Sequence, residues 1–190
     1  MVSDRLPLPP DDRLTPEQKV AIADFQSHRG VRPFGPFVAL LRSPELLTRI
    51  RALGDFIRYE TCFPPRLSEF AILIVASHWR QSYEWALHGP IALNAGVSAA
   101  HLHSLAHGTR PAAMSEEEAT MYDFCKPVCA GATVNDRHYE RFVAMFGERG
   151  AVEATGLVGY YTLLAMILNT ARTPPPSAVD RSSDVPTFPS

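Results

Sequence analysis

The chain has 190 residues, 46% of them hydrophobic, which is enough apolar material for one compact core. Its 18 basic and 20 acidic residues leave a formal net charge of −2 and are spread along the chain, so the electrostatic footprint of a nucleic-acid binder is missing. No apolar run approaches the roughly 20 residues that span a bilayer, and Met1 to Pro10 carry neither the basic nor the apolar region of a secretion signal, which excludes a membrane or exported class and places the protein in the cytoplasm.

In chain order, prolines at 7, 9 and 10 make residues 1–14 an extended or mobile lead segment. Thr15-Pro16-Glu17 then reads as a helix start, with the hydroxyl as cap and proline in the first turn, and Gly30 as the stop. Ser43-Pro44-Glu45 repeats the device, and Leu46, Leu47, Ile50, Leu53 and Ile57 recur at helical spacing to about Arg58. The stretch from Ser68 to Trp79 is apolar on every side, which predicts a helix buried in the core or in an oligomer interface. A further helix is expected from about Tyr83 to Asn94, stopped by Gly96 and broken or bent near its middle by Pro90. Ser98 opens a short one to about His107.

Past the Gly108–Pro111 break, Ser115 and its three following glutamates cap a helix that runs toward Cys129 and frays at Pro127. Asn135-Asp136 starts a segment closed by Gly147 and Gly150, and a last apolar helix covers about Val152 to Ala171. Residues 173–190 are proline-rich and read as a mobile tail. The fold class is therefore all-α: a single domain over 15–172, built as an orthogonal bundle of about seven or eight helices. The apolar load on Ser68–Trp79 and Val152–Ala171 predicts self-association.

Candidate chemistry centres on three side chains. Glu84 and His88 stand four apart and share a helical face, and Glu69 lies one helix earlier, where a paired fold would bring it to the same place. A carboxylate in so apolar a helix is costly to bury unless it is paired or hydrogen-bonded. Glu69 has a plainer reading as a first-turn acid favouring the helix dipole, and Glu84 and His88 one as an ordinary pair on a solvated face. Trp79, Tyr83 and Trp85 are pocket wall or core.

Cys125 and Cys129 are too widely spaced for a dithiol redox motif, and with Cys62 they read as ordinary reduced thiols. His101, His103 and His107 have two members on one helical face but no evident further ligand, so neither a metal nor another cofactor is expected.

The run Arg66-Leu67-Ser68-Glu69-Phe70-Ala71-Ile72-Leu73-Ile74-Val75-Ala76, followed by Trp79, Tyr83-Glu84-Trp85, His88, Pro90-Ile91-Ala92 and Ala95-Gly96, resembles the central helical pair of the carboxymuconolactone decarboxylase family, whose fold is that of alkylhydroperoxidase D. Gly159-Tyr160-Tyr161 and Asn169 resemble that family's closing helix. The specific part covers about thirty residues. The resemblance implies catalytic roles for Glu69, Glu84 and His88, and a trimeric or hexameric assembly. Its peroxidase branch uses two cysteines, and this chain has Gln81 and Glu84 at those positions. Without sulfur there is no thiolate to attack a peroxide, so dithiol chemistry at this site is excluded. The implied activity is cofactor-independent acid and base chemistry, a carbon–carbon lyase acting on a small unsaturated lactone or keto acid. Trp79, Gln81, Tyr83 and Trp85 would shape the substrate pocket, and Arg66 or Arg80 would hold the substrate carboxylate.

Overall fold

A computed structural model describes residues 3–176 and 184–189. Within them the chain is all-helical: α1 (Pro16–Arg29), α2 (Pro36–Leu40), α3 (Pro44–Tyr59), α4 (Pro65–His78), α5 (Ser82–Asn94), α6 (Ala99–Ala106), α7 (Glu116–Cys129) and α8 (Asp136–Ala171). The helix starts follow the capping chemistry. Thr15 and Ser115 each form a reciprocal capping box with the side chain three residues on, Gln18 and Glu118, and Asn135 caps α8.

The bundle is organised around α4, from which Leu67 to Ser77 are all buried. Helices α5, α6, α7 and α8 pack on it, while α1, α2 and α3 form a second group that meets the bundle through α8. A helix apolar on all sides has no solvent face to offer, so it takes the centre. Trp79 closes α4, and Arg80, in the left-handed region at φ 47°, turns the chain directly into α5. This tight connection makes α4 and α5 an adjacent pair, and the site follows from that pairing.

The structure refines several expectations. Pro90 does not interrupt α5, which is continuous to Asn94, nor does Pro127 end α7. The two last predicted helices are both present and abut without a loop, separated at Gly147, whose φ 71° and ψ 172° are not helical; α8 denotes the pair. Short α2, stiffened by Pro36 at its start, carries too few residues for a periodic signal. Helix α8 is long and apolar enough to cross a membrane by length and composition alone; 56% of its most apolar window is buried inside the fold.

Finally, the described parts of both ends are docked. Arg5 N donates to Ala171 O at 2.7 Å, and the Arg42 guanidinium donates to the carbonyls of Leu6 and Pro7. Residues 184–189 lie along α5: Trp85 Nε1 donates to Pro186 O at 2.6 Å, the Trp85 and Phe188 rings are 4.8 Å apart, and Arg80 donates to Pro189 O. Val185 sits where Gly89 lacks a side chain; a Cβ there would come within 2.7 Å of it. The rest of the expected tail, residues 177–183 and Ser190, lies outside the described residues.

Candidate active site

Helix α4 begins at Pro65, so Glu69 falls past its first turn and no dipole role explains it. Its side chain is 8% exposed and points at α5. There Glu84 and His88, one turn apart, face back, with side-chain exposures of 4% and 2%. The solvated-face reading is thereby excluded. His88 Nδ1 lies 2.7 Å from Glu69 Oε2, and Nε2 lies 3.3 Å from Glu84 Oε2.

An imidazole with both nitrogens against carboxylate oxygens dictates a proton count. A neutral ring has one N–H and would turn a bare lone pair toward the other carboxylate; the imidazolium donates to both. Burial alone would push His88 down, but the hydrogen bonds and charges of Glu69 and Glu84 outweigh it and hold His88 above the ordinary histidine range. The arrangement therefore favours the charged ring between the two acids, largely out of water.

The remaining wall comes from α3 and α8. Arg58 Nη2 approaches Glu69 Oε1 at 3.9 Å, and the Tyr161 ring meets the His88 ring edge-on at 5.2 Å. Burial raises the Tyr161 phenol well above its ordinary value, against the pull of Arg58, and raises Tyr160 to about 12 against that of Arg29. Both hydroxyls thus stay protonated and able to donate. Arg29, Arg58, Glu84, His88, Tyr160 and Tyr161 line a narrow chamber of about 20 Å³. That is room for about one water, so a substrate must displace part of the wall.

The predicted trio converges, but the predicted pocket wall does not surround it. Arg66 is committed to α7, with contacts of 2.5 Å to Glu117 and 2.7 Å to Glu118. Gln81 caps Tyr83 N and ties α5 to α8 through Asn169 at 2.6 Å. Trp79 Nε1 donates to Thr162, Trp85 packs against residues 184–189, and Tyr83 packs on Gly35, its phenol raised to about 12 by burial. None of these five lines the chamber. Arg80 is engaged with the tail. Of the three histidines, His101 is buried and bonded to Ala112 O while His103 and His107 are exposed, and among the described residues no group of three metal-type side chains could hold an ion. Cys62, Cys125 and Cys129 are free thiols outside the chamber wall.

Gly54 on α3 is what admits Tyr160 to this wall. A Cβ at Gly54 would lie 2.0 Å from the Tyr160 hydroxyl oxygen and 2.6 Å from its Cζ. Gly54→Ala gains about 1 kcal/mol of helix propensity but forces a buried ring to move, at a cost of about 1–3 kcal/mol. The expected net result is a lower melting temperature together with a displaced Tyr160 resonance; a rise in melting temperature would contradict the packing described.

No family model matches the chain, and no curated protein matches it. Solved structures do match in shape. An uncharacterized peroxidase-related protein from Silicibacter sp. TM1040 superposes with a TM-score of 0.74 at 18% identity, covering 93% of both chains. The alkylhydroperoxidase AhpD core of an uncharacterized peroxidase-related protein from Ralstonia eutropha JMP134 gives 0.69 at 20% identity, over 91% of this chain and 92% of that one. A cysteine-to-alanine variant of the debrominase Bmp8, in complex with 2,3,4-tribromopyrrole, gives 0.70 at 17% identity, over 94% of both. The chain has the AhpD-like helical fold.

Proposed function

We propose that the protein is a cofactor-independent carbon–carbon lyase of the carboxymuconolactone decarboxylase type, working by acid and base chemistry on a small unsaturated lactone or keto acid in the cytoplasm. The observation that carries this reading is the buried His88, held between Glu69 at 2.7 Å and Glu84 at 3.3 Å. Decarboxylation breaks the bond to the departing carbon dioxide and leaves its electron pair in the conjugated carbonyl as a dienolate. The protein must then stabilise the developing oxyanion and protonate carbon. His88 and Glu84 reach the chamber and supply that proton. Tyr161 offers a neutral O–H to the oxyanion. Glu69, which does not line the chamber, is a positioning residue that fixes the ring and favours its charged form.

Carbon dioxide release from a panel of lactone and keto acids tests this. On the responding substrate, His88→Ala and Glu84→Gln should each lower turnover by about 10²–10⁴; unchanged turnover in either variant removes the mechanism. An acid and base pair beside a carbonyl also supports hydration or isomerisation, and the same panel reads those products.

The size of the chamber, room for one water, favours a second reading: a non-catalytic helical assembly on the same fold. Exposed Val152 and Met166 on α8 supply apolar contact surface for the self-association proposed in both readings, as a trimer or hexamer. Sedimentation that gives a monomer at all concentrations counts against it.

A further inference from the structure

Outside the chamber lies an open cleft of about 530 Å³, lined by His28, Val31, Asp55 and Tyr59 together with Arg29, Phe34 and Arg58. The last three also line the narrow chamber, so they form the boundary that the cleft and the chamber share. Two of the guanidiniums nearby are already paired in charge with carboxylates, although the buried Arg29 Nη2 makes no hydrogen bond. Arg29 Nε donates to Asp55 Oδ1 at 2.9 Å, and Arg51 is paired with Asp24 at 3.2 Å and with Asp55 at 2.7 Å. Asp55 is thereby neutralised toward the cleft.

Arg58 differs. Its nearest carboxylate oxygen, Glu69 Oε1, is 3.9 Å away, too far for a hydrogen bond, and among the described residues it donates none. Its guanidinium instead lies 5.3 Å over the exposed Tyr59 ring, with 19% of the side chain accessible. Its N–H donors are not sealed from solvent, and its planar fork fits a carboxylate in bidentate fashion.

We propose that Arg58 is the acid-group anchor of the substrate: a small, planar, unsaturated or aromatic carboxylic acid occupies the cleft with its carboxylate on Arg58 and its reacting carbons turned inward toward His88 and Glu84. Phe34 and Tyr59 supply flat apolar walls for such a molecule. Its arrival displaces side chains of the shared Arg29–Phe34–Arg58 boundary, because the chamber beyond holds only about 20 Å³. This assignment rests on the acid and base reading above, but its test needs no turnover.

Benzoate serves as probe and benzamide as its neutral counterpart, each titrated into the full chain by calorimetry with the His88 ring followed by NMR. Benzoate is expected to bind and shift the His88 resonances, benzamide to bind at least about tenfold more weakly, and Arg58→Gln to lose about tenfold or more in benzoate affinity. Arg58→Lys, which keeps the charge without the fork, serves if the glutamine variant folds poorly, and should also weaken benzoate. Arg49→Gln, at an exposed pair with Glu45, should leave it unchanged. Equal affinity for benzoate and benzamide, affinity unaffected by both Arg58 variants, or no saturable benzoate binding overturns the assignment. Arg58-dependent benzoate binding combined with undiminished turnover in His88→Ala leaves the anchor standing and removes only the mechanism.

Discussion

Replacing His88 with leucine is expected to destabilise the protein by about 3–5 kcal/mol at pH 6–7, the largest stability effect of any single site substitution described here. The reason is electrostatic rather than volumetric. Leucine fills similar space, but it leaves Glu69 and Glu84, 8% and 4% exposed, facing each other without the cation between them. The dependence on pH fixes the sign. His88 is held above its ordinary 6.5 in the folded protein. Its contribution is thus fully present below that unfolded value and is lost as the pH rises through the folded value. The His88 ring, titrated by NMR in the wild type, should therefore have its midpoint above 6.5. A midpoint at or below that value would mean that the folded ring is neutral at neutral pH.

Much of this site was legible in the sequence because it is local. Glu84 and His88 needed only helical spacing, and Glu69 only the anomaly of an acid in a run that has no polar face. The tight turn at Arg80 then left the two helices nowhere to go but alongside each other. What was not legible came from far along the chain. Arg58 and Tyr161 sit on α3 and α8; nothing near Arg58 distinguishes it from ordinary surface arginine, and Gly159-Tyr160-Tyr161 marked a closing helix without placing Tyr161 beside His88. Their place depends on how α3 and α8 pack, and that packing depends on a glycine, Gly54, whose missing Cβ leaves room for Tyr160. The aromatic residues nearest the trio in sequence were misleading for the same geometric reason. Trp85 follows Glu84 directly, and a step of one residue on a helix turns the side chain about 100° away from its neighbour.

The two carboxylates are expected to be separable by experiment, and the separation decides which one does chemistry. Glu69 makes the shorter contact, 2.7 Å against 3.3 Å, and lies behind the ring, whereas Glu84 shares the chamber wall with His88. Glu69→Gln should therefore give the larger downward shift of the His88 titration midpoint by NMR, and a double-mutant cycle between the two should return a coupling of about 1.5–3 kcal/mol, the range of a hydrogen bond to a charged group. On the responding substrate, Glu69→Gln should move the pH profile of kcat while retaining activity below the new midpoint. Glu84→Gln should instead depress kcat across the whole profile, because it removes a group that faces the substrate. The roles would be exchanged if Glu84→Gln moved only the profile and Glu69→Gln abolished the rate at every pH. In that case the proton would travel through the acid on α4, and the chamber would have to open on the side of Glu69 rather than toward Arg58.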